Sequence, residues 1–311
     1  MKAFYCHHFV LPLPPEHRFP MSKYALLYQR VFADAQALDI ELVEPQPASE
    51  IDLLRVHTPD YVQRAIRGEL TATEQRKIGF PWSAMMIERS RRSAGSTMSA
   101  LEAALRGDGV AVNLAGGTHH AFADHGGGYC VFNDTVIAAR YVQALGLARH
   151  ILVVDLDVHQ GDGTAAITRE DDCIFTFSMH GERNYPVHKQ QSDLDVELPD
   201  ACSDVLYLDQ LAQFLPLAIE RAAADAVIYL AGADPYGGDR LGRLGLSKPG
   251  LAERDRCVLA ACARHGLPLA ISMAGGYAHD IDDIVDIHFA TIRAAAIHAR
   301  ALSTCSSRGV G

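Results

Sequence analysis

The chain has 311 residues, 49% hydrophobic and 21% charged, with a formal net charge of −10. That balance excludes an intrinsically disordered chain and supplies ample material for a core. The acidic excess leaves no basic footprint for a phosphate backbone, so nucleic acid is not an expected partner; the overall field would attract a basic peptide or a polyamine instead.

The opening residues MKAFYCHHFVLPLPPEH are broken by histidines and prolines before an apolar signal segment forms, and no later stretch is apolar for long enough to span a membrane. Further along, 68–82 (GELTATEQRKIGFPW) reads as a long rim or lid loop leading into a helix near 83–106. A buried strand over 109–115 and a helix near 132–146 come next, then strands over 150–158 and 173–179. A helix near 205–224, a strand over 225–231, a helix near 249–265, a strand over 267–273 and a helix near 280–302 complete the series. Short β-branched runs alternating with amphipathic helices predict an α/β fold: a doubly wound, mainly parallel sheet with helices on both faces. No linker, charge block or repeat divides the chain, so one domain over 1–311 is expected. Seven cysteines (Cys6, Cys130, Cys173, Cys202, Cys257, Cys262 and Cys305), odd in number and without C-x-x-C spacing, suit a reducing compartment, and a cytoplasmic location is expected.

Polar residues gather at the C-terminal ends of these strands: GGTHH after 109–115, DLDVHQGDG over the end of 150–158, GADPYGGD after 225–231 and GGY after 267–273. In an open parallel sheet those ends share one crevice. Asp155, Asp157 and His159 are spaced by two and leave one face while the chain stays extended, although such a segment is also a common solvated turn. Asp234 can begin a turn before Pro235, yet it also offers a third hard ligand beside Asp157 and His159, leaving a fourth position open as catalytic zinc requires. Two carboxylates and one imidazole differ from the two-His, one-carboxylate oxygenase triad, which favours hydrolysis. Such a set acidifies water less than three imidazoles do, so a separate base is needed, and His119 and His120 are the candidates unless they are hydrogen-bonded core residues. Tyr277, after Gly275 and Gly276, is placed to donate to a developing oxyanion, or else merely packs.

With GGTHHAFADHGGGYCVFND, DLDVHQGDG, GADPYGGDRLGRLGLS and AGGY in this order, nearly the whole chain resembles the histone deacetylase family of the arginase-deacetylase fold, most closely its class IV branch and bacterial relatives. The resemblance implies a metal-dependent amidohydrolase that removes an acetyl or long-chain fatty-acyl group from lysine side chains. An acetylpolyamine amidohydrolase is the alternative, and a non-catalytic acyl-lysine-binding module a lesser one. It implies one zinc ion, or ferrous iron, on Asp157, His159 and Asp234, with Tyr277 polarising the carbonyl. His120 would shuttle the proton and His119 act electrostatically, oriented by Asp155 and Asp162, a division that the sequence leaves open. Gly128, Tyr129, Tyr185 and Leu241 would wall a narrow tunnel around the lysine stem. Asp155, Asp157 and Ser178, with main-chain oxygens of His159 and Met179, would hold a K+ or Na+ ion. Related ureohydrolases use two manganese ions, with aspartates where this chain has Gly161 and Gly232, so a binuclear centre is not expected.

Overall fold

The computed structural model describes residues 1–14 and 16–308, except for the side chains of 303–308. Eight strands form one sheet: β1 (Lys2–Phe4), β2 (Glu41–Val43), β3 (Val110–Asn113), β4 (Ile151–Asp155), β5 (Ile174–Gly181), β6 (Leu194–Leu198), β7 (Ala226–Leu230) and β8 (Leu269–Ser272). Their order is β2-β1-β3-β8-β7-β4-β5-β6, and every neighbouring pair is parallel. Helices cover both faces, so the central strands are buried on both sides and read as continuous apolar runs. In β4, Leu152 and Val154 join one core while Ile151 and Val153 join the other; in β7, Val227 and Tyr229 split in the same way from Ala226, Ile228 and Leu230. This is the doubly wound parallel architecture expected.

The four strands that carry the polar clusters, β3, β8, β7 and β4, are consecutive neighbours in the sheet. Their C-terminal ends therefore open into one crevice.

Three departures from expectation are informative. The stretch 68–82 is not a plain loop, because helix Ala72–Ile78 lies within it, closed by a reciprocal capping box between Thr71 and Glu74 and ended at Gly79. The T-x-x-E signature of that cap is present in the sequence. Strands β1, β2 and β6 are additions to the expected set, being only three, three and five residues long at the sheet's outer positions. Helices Lys23–Leu38, Glu50–Leu54, Pro59–Arg67 and Asp162–Thr168 are likewise additional. Among the described residues no helix is long and apolar enough to cross a membrane. Cys6, Cys130, Cys173, Cys202, Cys257 and Cys262 are free thiols; the side chain of Cys305 lies outside the described residues.

One buried cation braces the crevice from behind. Arg254, on helix Lys248–His265, is fully buried; its Nη1 donates to the carbonyls of Gly232 (2.7 Å) and Leu156 (3.3 Å), just past β7 and β4. Its charge is matched by Asp255, whose carboxylate accepts from Arg254 Nε at 2.9 Å and from the Tyr229 and Thr291 hydroxyls at 2.5 Å each. Arg254→Met should lower unfolding stability in denaturant titrations by about 3–5 kcal/mol, because it strands the buried Asp255 charge. A loss within experimental error would show that Asp255 relaxes to water.

Candidate metal centre and active-site crevice

β4 ends at Asp155, and the chain beyond it bends at 157–159 rather than staying extended, bringing Asp157 and His159 to the C-terminal end of the sheet, where Asp234 arrives from beyond β7. One ligand atom from each of Asp157, His159 and Asp234 can be chosen so that all lie within 4.8 Å of one another, and all three residues are buried. His159 Nδ1 is 3.0 Å from Asp157 Oδ1 and 3.3 Å from Asp234 Oδ2. Main-chain donors take up the other oxygens: Gly275 N reaches Asp157 Oδ2 at 2.8 Å, Val158 N reaches Asp234 Oδ1 at 3.0 Å, and His159 N reaches Asp157 Oδ1 at 2.9 Å. Only a glycine fits at 275, since a Cβ there would stand 1.9 Å from Asp234 Oδ2.

The cluster has the electrostatics of a cation site. Burial opposes a charge on His159, yet Asp157 and Asp234 together pull it up to about 10. Asp157 falls below the usual carboxylate range despite its burial, because His119 and His159 face it. Asp234, by contrast, is pushed up to about 7 by burial and by the Asp157 charge. One imidazolium cannot neutralise two buried carboxylates, and Asp234 Oδ2 is left buried without a hydrogen-bond partner. Two carboxylate oxygens and an imidazole nitrogen around one point fit a single zinc or ferrous ion with an open position. A second metal has no ligands where Gly161 and Gly232 stand, and a Cβ there would already lie 2.4 Å from Asp155 Oδ2 and 2.7 Å from Asp157 Oδ2 respectively.

The turn after β3 presents His119 and His120, their rings 4.2 Å apart. Each has its own carboxylate: His119 Nδ1 lies 2.7 Å from Asp155 Oδ2, and His120 Nδ1 lies 2.6 Å from Asp162 Oδ1. Burial disfavours charge on both. Asp155, with Asp157 near by, overcomes that penalty for His119 and raises it to about 9. Burial and the neighbouring His119 hold His120 down at about 4, in its neutral form. A residue with no role evident from the sequence fixes this turn. The fully buried Asp134 accepts from Gly117 N, Thr118 N and the Thr118 and Thr97 hydroxyls at 2.6–3.0 Å. An N-D pair opening a helix reads locally as a cap, which hides a contact made sixteen residues away.

Tyr277 is buried, and its backbone N–H donates to Asp239 Oδ2 at 2.6 Å. Asp239 Oδ1 also accepts from Leu241 N and Gly242 N, tying the β8 and β7 loops together, a second role that the sequence conceals. Burial beside Asp234 and Asp157 pushes the Tyr277 phenol well above its ordinary value, so it remains a hydrogen-bond donor.

Gly128, Tyr129, Tyr185 and Leu241 line, with His120, His159 and Tyr277, an outer cavity of about 440 Å³. Tyr185 stands edge-on to His120 at 4.8 Å. Gly128 adopts φ +51°, and a Cβ on it would meet His120 Cδ2 at 2.5 Å. Behind the mouth an inner cavity of about 50 Å³ reaches Phe19, Lys23, Tyr24, His120, Gly275 and Tyr277. A larger cavity, about 540 Å³, lies at the opposite end of the sheet beside Arg149, Cys173 and Asp225, far from these groups. In the expected monovalent-cation region, Asp155 and Ser178 are register partners on β4 and β5; Met179 is buried, and the Ser178 hydroxyl lies 2.9 Å from His180 Nδ1.

Residues 17–292 match the Histone deacetylase domain. An uncharacterized protein of Picosynechococcus sp. is 46% identical over 287 residues, 92% of this chain and 95% of that one. Histone deacetylase 2 of Arabidopsis thaliana is 30% identical, over 84% of this chain and 70% of its own length. Among solved structures, an HDAC homolog complexed with SAHA superposes with TM-score 0.78 over 95% of this chain and 84% of that one, at 23% identity, a likeness of fold. With the Histone deacetylase domain matched over residues 17–292 and a 30% identical relative that this chain covers over 70% of its length, the chain belongs to the histone deacetylase family.

Proposed function

We propose that the chain, acting as one catalytic domain, hydrolyses the side-chain amide of an Nε-acyl-lysine. The observation that carries this reading is the convergence of Asp157, His159 and Asp234 with His120 and Tyr277 beneath a cavity walled by Tyr129 and Tyr185. Aromatic walls suit the aliphatic stem of lysine. Zinc, or ferrous iron, on Asp157, His159 and Asp234 supplies Lewis-acid activation of a carbonyl and of water. The Tyr277 hydroxyl donates to the oxyanion that forms as the carbonyl carbon becomes tetrahedral. His120, with Nδ1 engaged by Asp162, takes the proton of the attacking water on Nε2 and returns it to the departing amine. His119 holds positive charge beside the developing anion through its pairing with Asp155. A K+ or Na+ ion near Asp155 and Ser178 would brace the metal loop. The class IV affiliation rests on GADPYGGDRLGRLGLS.

The inner cavity bears on acyl length. A single water needs about 10–15 Å³ of such space, so about 50 Å³ has room for an acetyl-sized group. The geometry therefore favours the short end of the acyl range implied by the sequence.

Three measurements test this reading. Purified protein should carry one transition ion per chain, and Asp234→Ala should lose most of it; two stoichiometric manganese ions by elemental analysis would contradict the assignment. Tyr277→Phe should keep metal and fold while kcat drops by roughly 10²–10³, the usual scale for one oxyanion donor. An unchanged kcat with a raised KM would make Tyr277 a binding group only. On one lysine peptide, kcat/KM should fall from acetyl through octanoyl to myristoyl. A rise with length, up to about 0.8 kcal/mol per buried methylene, would mean that the cavity opens into a channel.

A further inference from the structure

The mouth of the outer cavity reverses the charge of the molecule. The chain carries 38 acidic against 28 basic residues, yet Arg76, Lys77, Arg183 and Arg243 all line this cavity, and all four are exposed. Arg76 and Lys77 come from helix Ala72–Ile78, the element found where a loop was expected. That helix is docked on the tunnel wall, since Gly128 N and Tyr129 N donate to the carbonyls of Lys77 (3.0 Å) and Ile78 (2.7 Å). Arg183 and Arg243 flank the other wall residues: Asn184, next to Arg183, bonds the Leu241 carbonyl at 2.8 Å and receives Arg243 N at 3.2 Å.

These charges are not cancelled locally. Arg183 and Arg243 share a single acid, Asp200, at 3.7 and 3.4 Å, while Arg76 and Lys77 have no ion-pair partner among the described residues. Arg18 and Arg240 add positive potential at the Tyr129 ring. At physiological ionic strength the screening length is about 8 Å, so a ligand at the mouth responds to the charges within that distance, where four cations face Asp200 and Glu182, rather than to the net charge of the chain.

Resting on the deacylase reading above, we infer that this mouth selects acyl-lysines flanked by carboxylate side chains, so that the substrate is an acidic peptide segment. The lysine stem enters between Tyr129 and Tyr185, while neighbouring Glu or Asp residues lie against the two cationic banks. A polyamine would bring its free ammonium groups to the same banks and be repelled, as would a lysine-rich tail. The expectation of a basic partner drawn from net charge is thus reversed by where the charges sit.

The test compares metal-loaded protein on three peptides of equal length carrying one acetyl-lysine flanked by Glu, Ser or Lys. The expected order in kcat/KM is Glu over Ser over Lys, with roughly tenfold between the extremes at low salt, shrinking as salt rises. In Arg76→Glu/Lys77→Glu and in Arg183→Glu/Arg243→Glu the Glu-to-Lys ratio should fall or invert. The ratio is read within each variant, so a general loss cancels. Equal kcat/KM for the Glu and Lys peptides, or a ratio indifferent to both double variants, would overturn the inference and leave the deacylase reading standing. Polarisation binding of the same peptides, fluorescein-labelled, separates the opposite case. Preferential capture of the Glu peptide with no hydrolysis of any of the three would retain the mouth and overturn the chemistry.

Discussion

Burying Asp157 and Asp234 against each other is the constraint on which the rest of the site depends. Two carboxylates removed from water repel, and neither burial nor a single imidazole stabilises both. The fold meets this with directed donors: the N–H groups of Val158, His159 and Gly275 point at three of the four positions these oxygens offer. What they leave is an unpartnered Asp234 Oδ2 beside the Nδ1 of His159, where positive charge is wanted. The demand for a cation is therefore built by the backbone.

That arrangement makes demands on residues that carry no chemistry. Glycine at 275 is required because any side chain would displace the carboxylates; Gly232 is hemmed in by the same two, and Gly161 by Asp155 and His119. Behind the floor, Arg254 holds the carbonyls of Leu156 and Gly232, whose peptide groups lead into the two ligand segments. At the rims, Asp134 fixes the His119–His120 turn and Asp239 fixes the Tyr277 backbone. A carboxylate, buried at Asp134 and partly buried at Asp239, thus anchors each of these turns through main-chain N–H groups. Rigid placement of this kind lets side chains from the loops after four different strands meet at one point without reorganising.

The sequence discloses what is periodic and what is chemical. Strands β3, β4, β7 and β8 are continuous apolar runs, and their ends carry the histidines and aspartates, so the crevice is legible before any contact is known. Strands β1 and β2 are not, since three residues give no period and the pairing of β2 with β1 and of β1 with β3 is decided by long-range contacts. Helix Ala72–Ile78 is legible through its T-x-x-E cap but is outweighed by the polar, turn-rich composition around it. Asp134, Asp239 and Arg254 are hidden for a different reason: the contacts by which they hold the site reach 16, 38 and 98 residues away, and nothing local to each residue marks such a contact.

The histidine pair shows how geometry breaks a symmetry that the sequence leaves intact. His119 and His120 are adjacent, both buried, and each bonded to an aspartate at nearly the same distance, 2.7 and 2.6 Å. They still differ, because two imidazoles 4.2 Å apart in a buried crevice cannot both carry charge at moderate cost. His119 has, besides its own Asp155, a second carboxylate close by in Asp157, 3.9 Å from its Nε2. The charge settles on His119, next to the ligand carboxylates, and its field keeps His120 neutral and able to accept a proton. An ion bound on Asp157 would weaken the pull on His119, so occupancy of the metal centre and the protonation of the pair are linked. The carboxylates that create the cation site therefore also set the division of labour between two otherwise equivalent bases.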